Sequence, residues 1–143
     1  MTRRSVEWSD WQDLGAAVPT APGVYQVRSC RPGGAGHTLP RLLAEDVEGT
    51  LIIGQSSNLE RRRRAFQRRI RVGRGHSEAN LLHRLRDAFR SHAKAGVLAQ
   101  VEWRVAITDE PTTVEEQLIK AYVLTFGEPP PLNAAIPNRY GDW

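Results

Sequence analysis

Leu51-Ile52-Ile53-Gly54-Gln55-Ser56-Ser57-Asn58-Leu59-Glu60 is the stretch whose reading decides the fold. Three consecutive aliphatic residues ahead of a glycine predict a short buried strand. Ser57, followed three residues later by Glu60, predicts a capping box: the serine bonds the glutamate amide and the glutamate reaches back. That box opens a helix to about residue 71, in which Leu59, Phe66 and Ile70 form a narrow apolar stripe. Arg62 and Arg69 fall beside the stripe, while Arg61, Arg64 and Arg68 point away. A strand delivering the chain directly into an arginine-rich helix is the centre from which the rest is read.

Upstream, Val24-Tyr25-Gln26-Val27 alternates and is β-branched, predicting a strand over about 23–29. Arg31-Pro32-Gly33-Gly34-Ala35-Gly36 is a loop by composition, 41–48 is a weak segment, and Gly49 suits a hairpin-like return from the first strand. Residues 1–20 carry Trp8, Trp11 and Pro19 with little periodicity, as an arm or short helix docking its tryptophans on the core. Downstream, Ser77 starts a helix with Leu81, Leu82, Leu85, Ala88 and Phe89 at 3.6-residue spacing, ending near Gly96. Val101, Trp103, Val105 and Ile107 alternate with Glu102 and Arg104 as a half-buried strand. Thr112 or Thr113 begins a last helix to about Phe126, ended by Gly127 and Pro129-Pro130-Pro131. The order is strand, strand, helix, helix, strand, helix.

A chain of 143 residues, 40% hydrophobic and 25% charged, fits one globular domain and excludes a disordered chain or a disulfide-stapled miniature. No apolar run is long enough for a membrane span, and no apolar segment follows Arg3-Arg4, so no export signal is expected. Cys30 is the single cysteine, which excludes an internal disulfide or a cysteine metal cluster and makes a reducing cytoplasm the expected compartment.

Net charge is only +4, but 18 of the 20 basic residues are arginine, and eight lie between Arg61 and Arg74 with no acid among them. Arg61, Arg63, Arg64, Arg68, Arg69, Arg71 and Arg74 are therefore expected to contact nucleic acid, because the guanidinium fork matches phosphate oxygens and never titrates away. Coding bias accounts for the arginine-to-lysine ratio but not for this clustering. In the last helix, roughly 100° per residue places Val114, Leu118, Tyr122 and Phe126 on one arc with Glu115 inside it and Glu116 outside. A carboxylate on an apolar arc needs a cation, either an arginine or a hard metal held with waters and substrate phosphate.

Together these residues resemble the GIY-YIG nuclease superfamily. Gly23-Val24-Tyr25, preceded by Pro22, is similar to its first motif, and Ile52-Ile53-Gly54 stands where the second belongs. Arg62 takes the place of the family's catalytic arginine, Glu115 that of its metal-binding glutamate, and Pro130-Pro131-Leu132-Asn133 resembles its closing Pro-x-x-Asn. The resemblance covers about residues 21–137. It implies an α+β domain over 21–143, with a small three-stranded antiparallel sheet flanked by helices, and hydrolysis of a DNA phosphodiester with Mg2+ or Mn2+ on Glu115. Arg62 would neutralise the scissile phosphate, and Tyr25, whose ordinary pKa is near ~10, would serve as base with help from adjacent cations. His76 is a reserve base, and Asn133 fixes local geometry.

Two departures stand out. Ile52 replaces the leading tyrosine of the second motif and cannot relay a proton, and the distance from Tyr25 to Ile52 makes about 31–49 an insertion. The alternative to an active endonuclease is thus a module of the same fold that keeps nucleic-acid affinity without cleavage. An arginine-rich RNA-binding or translation-associated protein is a third reading, but it leaves Glu115 unexplained. A homodimer and a separate recognition partner both remain open.

Overall fold

A computed structural model describes residues 6–31, 33–72, 78–89 and 100–133. Its main sheet has three antiparallel strands, β1 (Gly23–Ser29), β4 (Thr50–Ser56) and β5 (Val101–Ile107), in the order β4-β1-β5. Two short strands, β2 (Leu39–Pro40) and β3 (Glu45–Asp46), pair within the excursion between β1 and β4. Helices α1 (Leu59–Val72) and α2 (Glu78–Phe89) precede β5, and α3 (Pro111–Phe126) follows it. The expected α+β class and three-stranded antiparallel sheet are present, and the expected element order gains the two short strands of the excursion. No helix among the described residues is long and apolar enough to cross a membrane.

The sheet is covered on both faces, so its central strand is buried on both. Tyr25 lies opposite Gly54 and Val105, and Val27 opposite Ile52 and Trp103. This face packs with Leu59 and Phe66 of α1 and Leu82 of α2 in the largest core cluster. The other face presents Val24 and Ala106 to Val114 of α3, and Ile53 to Ile119 and Tyr122. Double coverage explains why six of the seven β1 residues are buried, although Gln26 and Ser29 among them are polar. It also corrects the alternation expected at the end of β5: Ala106 is buried beneath α3, and Ile107 is 58% exposed.

Both edges of the sheet are closed. The N-terminal arm passes from the α3 layer, where Trp8 packs, to the α1 layer, where Leu14 and Val18 are buried. On the way Ser9 N–H donates to Val105 C=O at 2.8 Å, and Gln12 exchanges two backbone bonds with Trp103 at 2.9 and 3.0 Å. The arm is extended, with no helix over 6–22. Its tryptophans also meet cations: the Arg104 guanidinium lies 4.7 Å from the Trp8 ring and 4.6 Å from Trp11, and Arg28 lies 4.4 Å from Trp11. At the opposite edge Leu132 N–H donates to Leu51 C=O at 3.0 Å.

The excursion is held at its neck and at its tip. Asp46 is buried, accepts the Glu48 and Thr50 amides at 3.0 and 3.1 Å, and accepts the Tyr122 hydroxyl at 2.8 Å. Burial first, and then that bond to Asp46, push the Tyr122 phenol far above its ordinary range. At the tip, Leu43 N–H donates to Phe126 C=O at 3.0 Å, and Arg41 bonds Pro129 C=O and pairs with Glu128. These groups satisfy carbonyls at the end of α3, where Gly127 adopts φ +81° and closes back on Val123.

Candidate active site

Tyr25 and Gly54 meet across the β1–β4 ladder. The tyrosine ring lies over the glycine so closely that an added Cβ would fall inside Cζ and Oη of the phenol. Gly54 is thus required by close approach rather than by a turn. The ring packs against Trp103 at 5.6 Å and edge-on to Phe66 at 6.5 Å, leaving Tyr25 2% exposed. The Arg62 guanidinium carbon lies 5.9 Å from the ring centroid, within cation–π range. Tyr25 and Arg62, two of the residues expected to act together, therefore lie at one place with Gly54. Ile52, opposite Val27, is fully buried in the same cluster.

Arg62 is delivered by a helix start that differs from the expected one. Asn58, not Ser57, caps α1: its Oδ1 accepts the Arg61 amide at 3.1 Å, and Ser56 Oγ accepts the Asn58 amide at 3.0 Å. Glu60 does not reach back to close a capping box. It turns inward, accepting Arg63 at 2.5 and 2.7 Å and the Val18 amide at 3.2 Å. The Arg63 bonds, aided by the Val18 amide, hold the Glu60 carboxyl well down, at about 2, against the opposing effect of burial.

Arg63 is itself buried and also donates to Leu14 C=O at 2.8 Å, so within the arginine run this side chain is committed to joining α1 to the arm. The signal was present in the spacing, since residue 63 stands four after Leu59 and three before Phe66, on the apolar stripe itself. Of the other arginines expected to meet phosphate, Arg61, Arg64, Arg68 and Arg71 are exposed, and Arg69, like Arg62, is half-buried. Arg74 and His76 lie outside the described residues.

Glu115 sits in the second turn of α3, which starts at Pro111, one or two residues earlier than expected, with proline in the first turn. The glutamate is half-buried, beside Val114 at 3% exposure and Leu118 packed on the same layer. Since β4 and β5 are both antiparallel to β1, they run the same way. Each delivers its helix at the Gly23 end of the sheet, α1 onto the Tyr25 face and α3 onto the Val24 face. Tyr25 and Arg62 thus share one layer, and Glu115 enters from the other.

No group of three or more His, Cys, Asp or Glu side chains is placed to hold a metal among the described residues. A single carboxylate does not cage a cation, but it suits Mg2+, which keeps several waters and takes its remaining oxygens from a substrate phosphate. Asn133 bonds both backbone polar groups of Ile53 at 2.9 Å, in the positioning role expected for it. Compared with known protein families, with curated proteins and with solved structures, the chain matched none.

Proposed function

We propose that this chain is a metal-dependent DNA endonuclease of the GIY-YIG type, a hydrolase acting on phosphodiester bonds. The observation that carries the reading is the Tyr25–Gly54–Arg62 cluster, in which a strand glycine is required by the phenol and the phenol lies beneath a guanidinium. In this reading Arg62 binds the scissile phosphate and offsets the negative charge it gains as water attacks phosphorus. Tyr25 Oη, first deprotonated to the phenolate that the adjacent Arg62 cation favours, accepts the proton of that water, which requires an approach of ~2.6–3.2 Å. Glu115 would hold Mg2+ or Mn2+, which supplies charge stabilisation on the departing oxygen. Asn133 keeps β4, and with it Gly54, in register.

The buried Ile52 supports the alternative, a nucleic-acid-binding module without cleavage, because it removes one proton-transfer group from the cluster. Incubation of supercoiled plasmid with Mg2+ or Mn2+ separates the two. Nicking that is lost in Glu115→Ala, Arg62→Ala and Tyr25→Phe supports the endonuclease. Metal-independent gel shifts without nicking support the binding module and end the hydrolytic reading.

A further inference from the structure

The arginines of α1 are not one patch. At roughly 100° per residue, Arg61, Arg64, Arg68 and Arg71 fall within an arc of roughly 80°, forming a ridge about 15 Å long at 1.5 Å per residue. All four are exposed, and the side chain of Arg64 is 75% exposed. Arg62 and Arg69 occupy a flank about 130° away around the helix and are half-buried, Arg62 over the Tyr25 ring of the sheet. Arg63 is turned into the interior on Glu60. Among the described residues, Glu60 is the acid that pairs with the ridge, 3.4 Å from Arg64 and already bonded twice by Arg63, a surface contact that neutralises little.

We infer that this ridge is a second polyanion-contact surface, distinct from the Arg62 flank, and that its partner is the sugar–phosphate backbone of a nucleic-acid duplex. The inference rests on the nucleic-acid part of the proposed function but not on cleavage. Charge complementarity sets the class, since about 15 Å of duplex axis presents roughly four phosphates on one strand at 3.4 Å each, matching four guanidiniums on a rigid helix. The exposed positions of α1 also include Gln67 but no aromatic residue. Unstacked single strands are held by aromatic platforms, which this surface lacks, whereas backbone contact with a duplex needs only cations.

The test is the salt dependence of binding, read by fluorescence anisotropy in EDTA with labelled duplexes of three unrelated sequences and the matching single strands. Four ridge contacts contribute about −3.6 to the slope of log K against log salt on duplex DNA, equivalent to roughly 150-fold in affinity between 50 and 200 mM. Each of R61Q, R64Q, R68Q and R71Q should flatten the slope by about 0.9, equally on all three sequences, and the fourfold variant should lose the whole ridge contribution. Adding R62Q to the fourfold variant should remove a further, additive increment if flank and ridge touch different phosphates. An unchanged duplex slope in both the single and the fourfold variants overturns the ridge, and tighter binding of the single strands overturns the duplex assignment. A flattened slope in protein that never nicks plasmid supports the ridge while ending the endonuclease reading.

Discussion

Asn133 clasps Ile53 through both edges of its amide: Oδ1 accepts the Ile53 N–H at 2.9 Å, and Nδ2 donates to the Ile53 C=O at 2.9 Å. One side chain thus takes the place of a neighbouring strand at the outer edge of β4. Asn133→Ala should lower unfolding stability by about 1–3 kcal/mol, since two half-buried backbone groups lose their partners. Asn133→Asp, which keeps an acceptor but no donor, should recover little of it. Urea denaturation followed by tryptophan fluorescence measures both, and a variant as stable as wild type would refute the assignment.

Gly54→Ala drives a methyl into the Tyr25 ring. The phenol is hemmed in by Trp103 and Phe66, so it has nowhere to retreat without displacing the core. A loss of about 1–3 kcal/mol is expected, as for other overpacked interiors. Thermal melting and near-ultraviolet circular dichroism should both report it.

Glu60 gives the fold a defined acid limb. Its folded pKa, about 2, is below the ordinary carboxyl value of 4.5, chiefly because of Arg63. The stability it contributes is therefore fully present above 4.5 and is lost as pH falls from there through about 2. Glu60→Gln should flatten the acid-unfolding curve within that window and lower stability at neutral pH. Should the acid limb be as steep in the variant, Glu60 is not its source.

The arm shields β5. Removing residues 1–12 uncovers the backbone groups of Trp103 and Val105 that now bond Gln12 and Ser9, and leaves Arg28 and Arg104 without the tryptophan rings beneath them. An unprotected edge strand pairs with other chains, so the truncated protein should associate or aggregate where the full chain does not. Light scattering at matched concentrations tests this.

Legibility in the sequence followed the range of the interactions. The β1 strand and the helix bounds near Leu59 and Phe126 were readable because periodicity and punctuation by Gly127 and the prolines are local signals. Angular position on one helix did not separate the two glutamates of α3: only Glu115 was expected on the apolar arc, yet Glu115 and Glu116 are both half-buried. Misreadings arose where a distant element decided the outcome. Glu60 had two local options, and the arm's Val18 amide together with the buried Arg63 drew it inward. Ile107, expected on the buried face of β5, is exposed, and Ala106 on the other face is buried because α3 returns over that end of the strand. The bond between Asp46 and Tyr122 joins segments with no shared pattern, and nothing in either stretch announces the other.

The excursion between β1 and β4 has a consequence for descent. Because Leu43 bonds the last carbonyl of the helix that carries Glu115 and Arg41 holds Pro129 just beyond it, the hairpin is not an ornament that a shorter-looped relative could simply omit. A lineage that deleted it would have to find another partner for the Phe126 carbonyl, and lineages that retain it should vary at Glu45 and Val47 more readily than at Asp46 between them.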